Sequence, residues 1–336
     1  MAPGAPYRIF GSELSPYSVK VRSYFRYKEI PHQWVVRSTS NMDEFRKHAR
    51  LPLIPLVIAP DGEGLQDSTP ILEALEQRFP EPSIHPADET LAFLSALLEE
   101  FGDEWGNKWM FHYRWARPAD QDSAAERIAR SMKPDAAGAE LAQLTAGVKE
   151  RMVGRIGFVG SSPTTAPLIE ASFRDAVKLL EKHLAARPYL FGGRPAFGDF
   201  GLWGQLYECW TDPTPGGILR TEAPRVVAWI DRMLAPKAES EFEAWDALAP
   251  TLFPLLERQV GLMFLPWSDA NAKAIAAGQE EMSARMPLGA FRQKPQKYHA
   301  RSLAELRRKY AAVADKPRLD PILERAACLR WLAPGG

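Results

Sequence analysis

Residues Pro80–Asp88 read PEPSIHPAD, and three prolines in nine residues constrain the fold more than any other stretch of the chain. Proline lacks a backbone donor and clashes with the preceding turn, so no helix runs through this segment, which reads as a linker. The two sides of it differ in kind. Before it, strand and helix signals alternate; beyond it, strand signals nearly vanish and helical periodicity takes over. A chain of 336 residues has room for more than one domain, at roughly 100–200 residues each. The division expected is a mixed α/β domain over 1–82, an all-helical domain over 88–239, and a mostly helical extension over 240–336 packed on the helical domain.

Residues 7–80 read as β-α-β-α-β-β-α. Tyr7-Arg8-Ile9-Phe10 is short, mostly apolar and closed by Gly11, as a buried strand requires. From Ser15 the pattern turns helical, with Val21, Tyr24, Phe25 and Lys28 on one face. His32–Ser38 is a second strand and Asn41–Arg50 a short polar helix. Ile54–Asp67 reads as two strands joined at Asp61-Gly62, a hairpin signal. Ile71, Leu72, Leu75 and Phe79 then form the stripe of a helix that stops at Pro80.

Past the linker, Leu91–Trp115 is helical and rich in aromatics, residues 117–165 carry two weakly periodic helices, and Ile169–Leu184 is a clear helical stripe. Asp199–Trp210 is apolar nearly all round, which predicts a central buried helix. Its Gly201 and Gly204 permit close helix approach. Val226–Met233 adds another helix, and residues 240–336 hold three or four helical segments with a turn at MPLGAF.

Bulk properties narrow the function classes. Lys plus Arg and Asp plus Glu balance at 42 each, so no global field recruits nucleic acid or an anionic membrane. No apolar run reaches the ~18 residues of a membrane span, and MAPGAPYRIF is not a signal peptide. Cys209 and Cys328 are the only cysteines, which is neither a disulfide framework nor a metal cluster; a cytoplasmic location and no metal are the expectations. A basic run between Arg285 and Lys309 reads as a solvated helix face near an acidic neighbour, with nucleic-acid binding ranked last.

Three short features of residues 7–80 carry the chemistry. Ser15-Pro16 opens the first helix, where free N–H groups and about half a positive charge stabilise an anion, a thiolate included. Ile54-Pro55 opens a strand with a residue that cannot donate; a cis bond there leaves the backbone of Ile54 free to pair with an extended peptide. Gln66-Asp67-Ser68-Thr69-Pro70 lies at a strand-to-helix turn. Ser68 or Thr69 would cap the helix, the remaining N–H groups suit a carboxylate, and Asp67 suits an ammonium group. Each also has a plain structural reading, as a helix cap or a strand-opening proline.

Their order and spacing resemble the glutathione transferase N-terminal domain, a thioredoxin-like domain. The resemblance continues in the helical half, where Arg187–Leu206 is similar to the family's segment before and within its central helix, and Thr221–Met233 to the helix that follows. The resemblance implies a serine-type active site. Ser15 donates a hydrogen bond to the glutathione sulfur, Ile54 beside Pro55 pairs with the cysteinyl unit, and Asp67 and Ser68 hold the γ-glutamyl head group. It also implies glutathione as cosubstrate, small-molecule electrophiles as substrates, and a homodimer. The sequence departs from the family pattern at two places. Leu53 stands where a lysine is common, and Ala196 replaces the usual Ser/Thr cap three residues before Asp199.

Leu97–Trp115 sets Asp103, Glu104, His112 and Arg114 among tryptophans. Trp109 and His112 either line an apolar electrophile pocket or belong to a core whose charges pair across the domain interface. The leading functional expectation is a glutathione transferase that conjugates the thiolate to a small electrophile. The alternative is a non-catalytic glutathione- or ligand-binding module whose extension meets a partner.

Overall fold

The structure, a computed structural model, describes residues 6–333. The N-terminal part follows the expected order: β1 (Tyr7–Gly11), α1 (Pro16–Tyr27), β2 (His32–Val36), α2 (Met42–His48), β3 (Leu56–Ile58), β4 (Gly64–Gln66) and α3 (Ser68–Arg78). The sheet runs β2-β1-β3-β4, with β1 and β2 parallel and the other pairs antiparallel. Register decides what meets. Phe10 lies opposite Leu56, and Leu56 opposite Gln66. The end of β1, the start of β3 and the end of β4 therefore share one end of the sheet, where α1 and α3 both begin.

An irregular stretch holding Pro80, Pro82 and Pro86 leads to α4 (Glu89–Phe101), a π turn (Gly102–Gly106) and α5 (Asn107–Ala116). Then come α6 (Pro118–Met132), α7 (Gly138–Val153), α8 (Ala166–His183), α9 (Phe197–Thr211), α10 (Pro213–Glu222) and α11 (Pro224–Arg232). Helix α9 is the axis of the core, with Phe197, Phe200, Trp203, Leu206 and Cys209 all buried. A Cβ on its Gly201 would fall 2.6 Å from the Glu99 carbonyl oxygen, and one on Gly204 would fall 2.6 Å from that of Pro16. These two glycines let α4 and the start of α1 close on α9. The Asp199 carboxylate accepts the N–H groups of Ala196 and Leu190 and the Trp229 indole N–H, each at 2.9 Å. It thus does from within α9 part of what an absent Ser/Thr cap would do.

The extension comprises α12 (Trp245–Leu255), a π segment (Leu256–Phe264), α13 (Leu265–Ala276), β5 (Met282–Met286), β6 (Gly289–Gln293), α14 (Lys297–Ala312), α15 (Lys316–Arg325) and α16 (Leu329–Leu332). The turn at MPLGAF belongs to a β-hairpin rather than to a helix–helix connection. Met282, Ala284 and Met286 are buried while Ser283 and Arg285 are exposed, the alternation of a strand. Five residues with weak strand formers among them hid that period in the sequence. Lys108 of α5 pins the hairpin. Its buried ammonium donates to the Val159 carbonyl (3.2 Å) and Gln293 Oε1 (2.9 Å) and lies 3.9 Å from the Trp267 ring centre.

The extension packs on the helical half and also reaches the N-terminal part. Helix α14 lies along α4, with Lys309 bonded to Glu73 (2.7 Å) and Arg318 of α15 paired with Asp88. Of the basic run, Arg307 bonds Asp269 (2.9 Å), Arg308 bonds Glu305, and Lys309 bonds Glu73, so the acidic neighbour is real.

Candidate functional site

Ser15 occupies the N-cap of α1 with extended backbone (φ −114°, ψ 112°), and Pro16 follows at the first helical position. Its Oγ accepts the Ser18 N–H at 3.3 Å, and its own proton goes to no protein group among the described residues. The buried Ser18 hydroxyl has no partner there either. The loop before Ser15 is held from the helical half, because Arg114 of α5 donates to the Leu14 carbonyl (3.0 Å).

The Ile54–Pro55 peptide is cis. The backbone N–H and C=O of Ile54 make no hydrogen bond among the described residues. The loop before it is fixed by Gln66, whose side chain accepts the N–H groups of Arg50 (2.7 Å) and Leu51 (3.0 Å) and donates to the carbonyls of Leu51 and Leu53, each at 2.9 Å. Leu53 itself is exposed.

At the start of α3 the structure corrects one expectation. Ser68 and Thr69 do not cap the helix; their hydroxyls turn inward to Lys20, at 3.4 and 3.0 Å. The N–H groups of both residues have no partner among the described residues. Asp67 precedes them in left-handed backbone (φ 74°), an uncommon conformation for a residue with a side chain. Its carboxylate accepts the Tyr298 hydroxyl of α14, at 3.2 Å to one oxygen and 3.1 Å to the other.

Beneath this turn lies a buried charge cluster that sequence reasoning missed. Lys20 of α1 bonds Asp103 (2.6 Å) and Glu99 as well as the two hydroxyls. Burial alone would lower the Lys20 ammonium, but the two carboxylates outweigh it and hold it above the ordinary lysine value. Burial pushes Asp103 up to about 7 against the pull of Lys20, with Glu99 adding to the rise. Glu100, one turn away, is likewise raised, by burial and by Glu99 and Glu104. Lys20 is one turn before Tyr24 on the inward face of α1, a position that does not by itself reveal its partners.

Ser15, Ile54, Pro55, Asp67 and Ser68 thus share one end of the sheet. Trp109 and His112 join the core instead. Trp109 is fully buried and donates to Ser172 Oγ (3.0 Å), and buried His112 sits between Ser161 Oγ (2.7 Å) and Glu170 (3.0 Å). Arg114 pairs with Glu208 (2.6 Å) and Asp212 (2.7 Å), a buried charge satisfied as such charges must be. A cavity of about 570 Å³ opens in the extension, between α13 and the β5–β6 hairpin, and shares none of these residues. Among the described residues, no group of three or more His, Cys, Asp or Glu is arranged to hold a metal ion, and no helix is long and apolar enough to cross a membrane.

Chemically, the arrangement offers a free hydroxyl proton at one helix start, unpaired backbone at a strand start, and free N–H groups beside a carboxylate at a second helix start. It can hold an anion, an extended backbone and an adjacent ammonium.

Comparison with known proteins bears on the family. Residues 9–83 match the family model described as Glutathione S-transferase, N-terminal domain, and residues 134–232 match Glutathione S-transferase, C-terminal domain; together they span just over half of the chain. No curated protein matches. Similar solved structures include a glutathione S-transferase from Methylobacterium radiotolerans in complex with glutathione sulfonate, 18% identical, with a TM-score of 0.43, covering 71% of this chain and 99% of that one. One from Methylobacillus flagellatus with glutathione bound is 18% identical, with a TM-score of 0.42, covering 68% and 94%. A glutathione transferase from Phanerochaete chrysosporium is 15% identical, with a TM-score of 0.48, covering 69% and 97%.

Proposed function

Because this chain belongs to the glutathione S-transferase family, we propose that it binds glutathione at the sheet end around Ser15 and conjugates its sulfur to a small electrophile. The observation that carries the reading is the Ser15 hydroxyl: it accepts from Ser18 yet keeps its proton undonated, at a helix start where an anion is favoured. A thiolate beside it gains one hydrogen bond and the field of α1, which lowers the thiol pKa and raises the thiolate fraction at neutral pH. The thiol proton leaves to solvent. The sulfur lone pair then forms a C–S bond; a halide departs with its bonding pair in substitution, or the resulting carbanion takes a proton in addition.

The other parts of the tripeptide find matching groups. The free backbone of Ile54 pairs with the cysteinyl unit, the unpartnered N–H groups of Ser68 and Thr69 receive the γ-glutamyl carboxylate, and Asp67 receives the ammonium. Lys20 beneath the two hydroxyls holds them inward, its own charge met by Glu99 and Asp103. A cytoplasmic homodimer is part of the same proposal; light scattering at micromolar concentration decides the association.

The test is calorimetric titration with glutathione, joined to turnover of a chlorodinitrobenzene. Wild type binds and turns over; Ser15→Ala binds but loses most turnover, and Asp67→Ala binds weakly. Binding without turnover of any electrophile returns the non-catalytic module. Identical binding by all three proteins refutes the site.

A further inference from the structure

The extension supplies one residue to the proposed site. Helix α14 lays a row of donors along acids of the loop before α3, of α3 and of the α4 region. Tyr298 meets Asp67, Ser302 meets Glu100, and Lys309 meets Glu73, at spacings of one and two further turns along one helix face. His299 beside them faces Glu104. Of these contacts, only that of Tyr298 touches a group assigned above to glutathione.

Tyr298 is 53% exposed, so burial does not explain its place. Its hydroxyl does: the oxygen stands 3.2 and 3.1 Å from the two oxygens of Asp67, nearly equidistant. An ammonium of an α-amino acid head group, pairing with the same carboxylate, would take the place of this hydroxyl. The Asp67 backbone is itself in a sparsely populated conformation, and its carboxylate meets α14 through this bond.

We propose that Tyr298 is a specificity-determining residue of this site, a tethered stand-in for the ligand's ammonium that must leave Asp67 before a γ-glutamyl head group can take its place. The inference rests on the glutathione reading above. Tyr298 sets the affinity for ligands that carry an ammonium at that position and is indifferent to those that lack one, because the latter leave the phenol–carboxylate bond intact. A lid that merely covered the site would act on both alike.

The experiment is calorimetric titration of the full chain, wild type and Tyr298→Phe, with glutathione and with its desamino analogue, in which the γ-glutamyl ammonium is replaced by hydrogen. Phenylalanine keeps the ring and removes only the hydroxyl. The expected result is that Tyr298→Phe binds glutathione about tenfold more tightly, the worth of one charge-assisted hydrogen bond no longer forfeited, while its affinity for the analogue is unchanged. Equal glutathione affinity in the two proteins, or weaker binding by the variant, overturns the proposal and leaves the glutathione site standing. Tightening of both ligands by the same factor replaces it with simple occlusion. If neither protein binds glutathione, the glutathione reading itself fails and the stand-in role falls with it.

Discussion

Replacing Ser15 by alanine removes two things at once, and the structure allows them to be weighed separately. The first is the cap on α1. Ser15 Oγ accepts the Ser18 N–H at a long 3.3 Å, and the same N–H also reaches the Ser15 carbonyl at 3.0 Å. Loss of the hydroxyl therefore leaves no orphaned donor, and the cost lies at the lower end of N-cap replacements, about 0.5 kcal/mol. The second is the proton offered to a bound thiolate. A hydrogen bond to a charged group contributes roughly 1.5–3 kcal/mol, which is about one to two pKa units of the bound thiol. The fold should thus survive Ser15→Ala almost unchanged while the chemistry does not. Thiolate absorbance of the glutathione complex, followed against pH, should show its midpoint rising by about one to two units. Turnover at neutral pH should fall by up to about a hundredfold and recover at alkaline pH, where the thiol ionises unaided. Ser15→Thr, which keeps a hydroxyl, should restore most of the shift. Superimposable titration curves for wild type and Ser15→Ala would refute the reasoning, as would a loss of stability large enough to account for the missing turnover.

Two further predictions concern the frame that holds the site. Burial pulls the Lys108 ammonium down to about 7, against a smaller upward pull from Glu104. Between that value and the ordinary lysine range the unfolded chain binds the extra proton, so stability rises with pH there, by up to about 1.4 kcal/mol per unit. Urea unfolding at a series of pH values above neutrality should show this rise in wild type relative to Lys108→Met; parallel profiles would mean that the Trp267 face and the two acceptors keep the amine charged throughout. Arg114→Leu strands Glu208 and Asp212 in the interior and releases the Leu14 carbonyl. It should lower the unfolding free energy by about 3–5 kcal/mol and weaken glutathione binding through the Ser15 loop, and a loss under about 1 kcal/mol would show that Arg127, which also pairs with Asp212, compensates.

What could be read from the sequence follows the range of the interactions involved. The β-α-β-α-β-β-α order was legible because each element declares itself within a few residues: alternation, a stripe, a proline or an Asp-Gly turn. That Ser15, Ile54, Asp67 and Ser68 lie at element boundaries could be read for the same reason. Lys20 was not legible. It lies mid-helix, and its buried position becomes sensible only beside Glu99 and Asp103, which arrive from α4 and the π turn. The same holds for Trp109 and His112, which an aromatic-rich helix presents equally well to a pocket or to a core until Ser172, Ser161 and Glu170 come in from other segments.

The extension carries this furthest. Tyr298 and Asp67 are 231 residues apart, and neither position alone says that the other is its partner. What the sequence did hold was the imbalance on each side: a basic run over 285–309 and a group of acids on α3 and the α4 region that Lys20 alone cannot neutralise. Complementary charge of this kind orients two surfaces without fixing their register. Register comes from the hairpin, which Lys108 anchors through Gln293, four residues before α14 begins. The acid at the proposed head-group site is therefore positioned by the N-terminal sheet, while the hydroxyl that contests it is positioned by a hairpin pinned to α5, and the affinity of the site depends on how rigidly those two frames are held to each other.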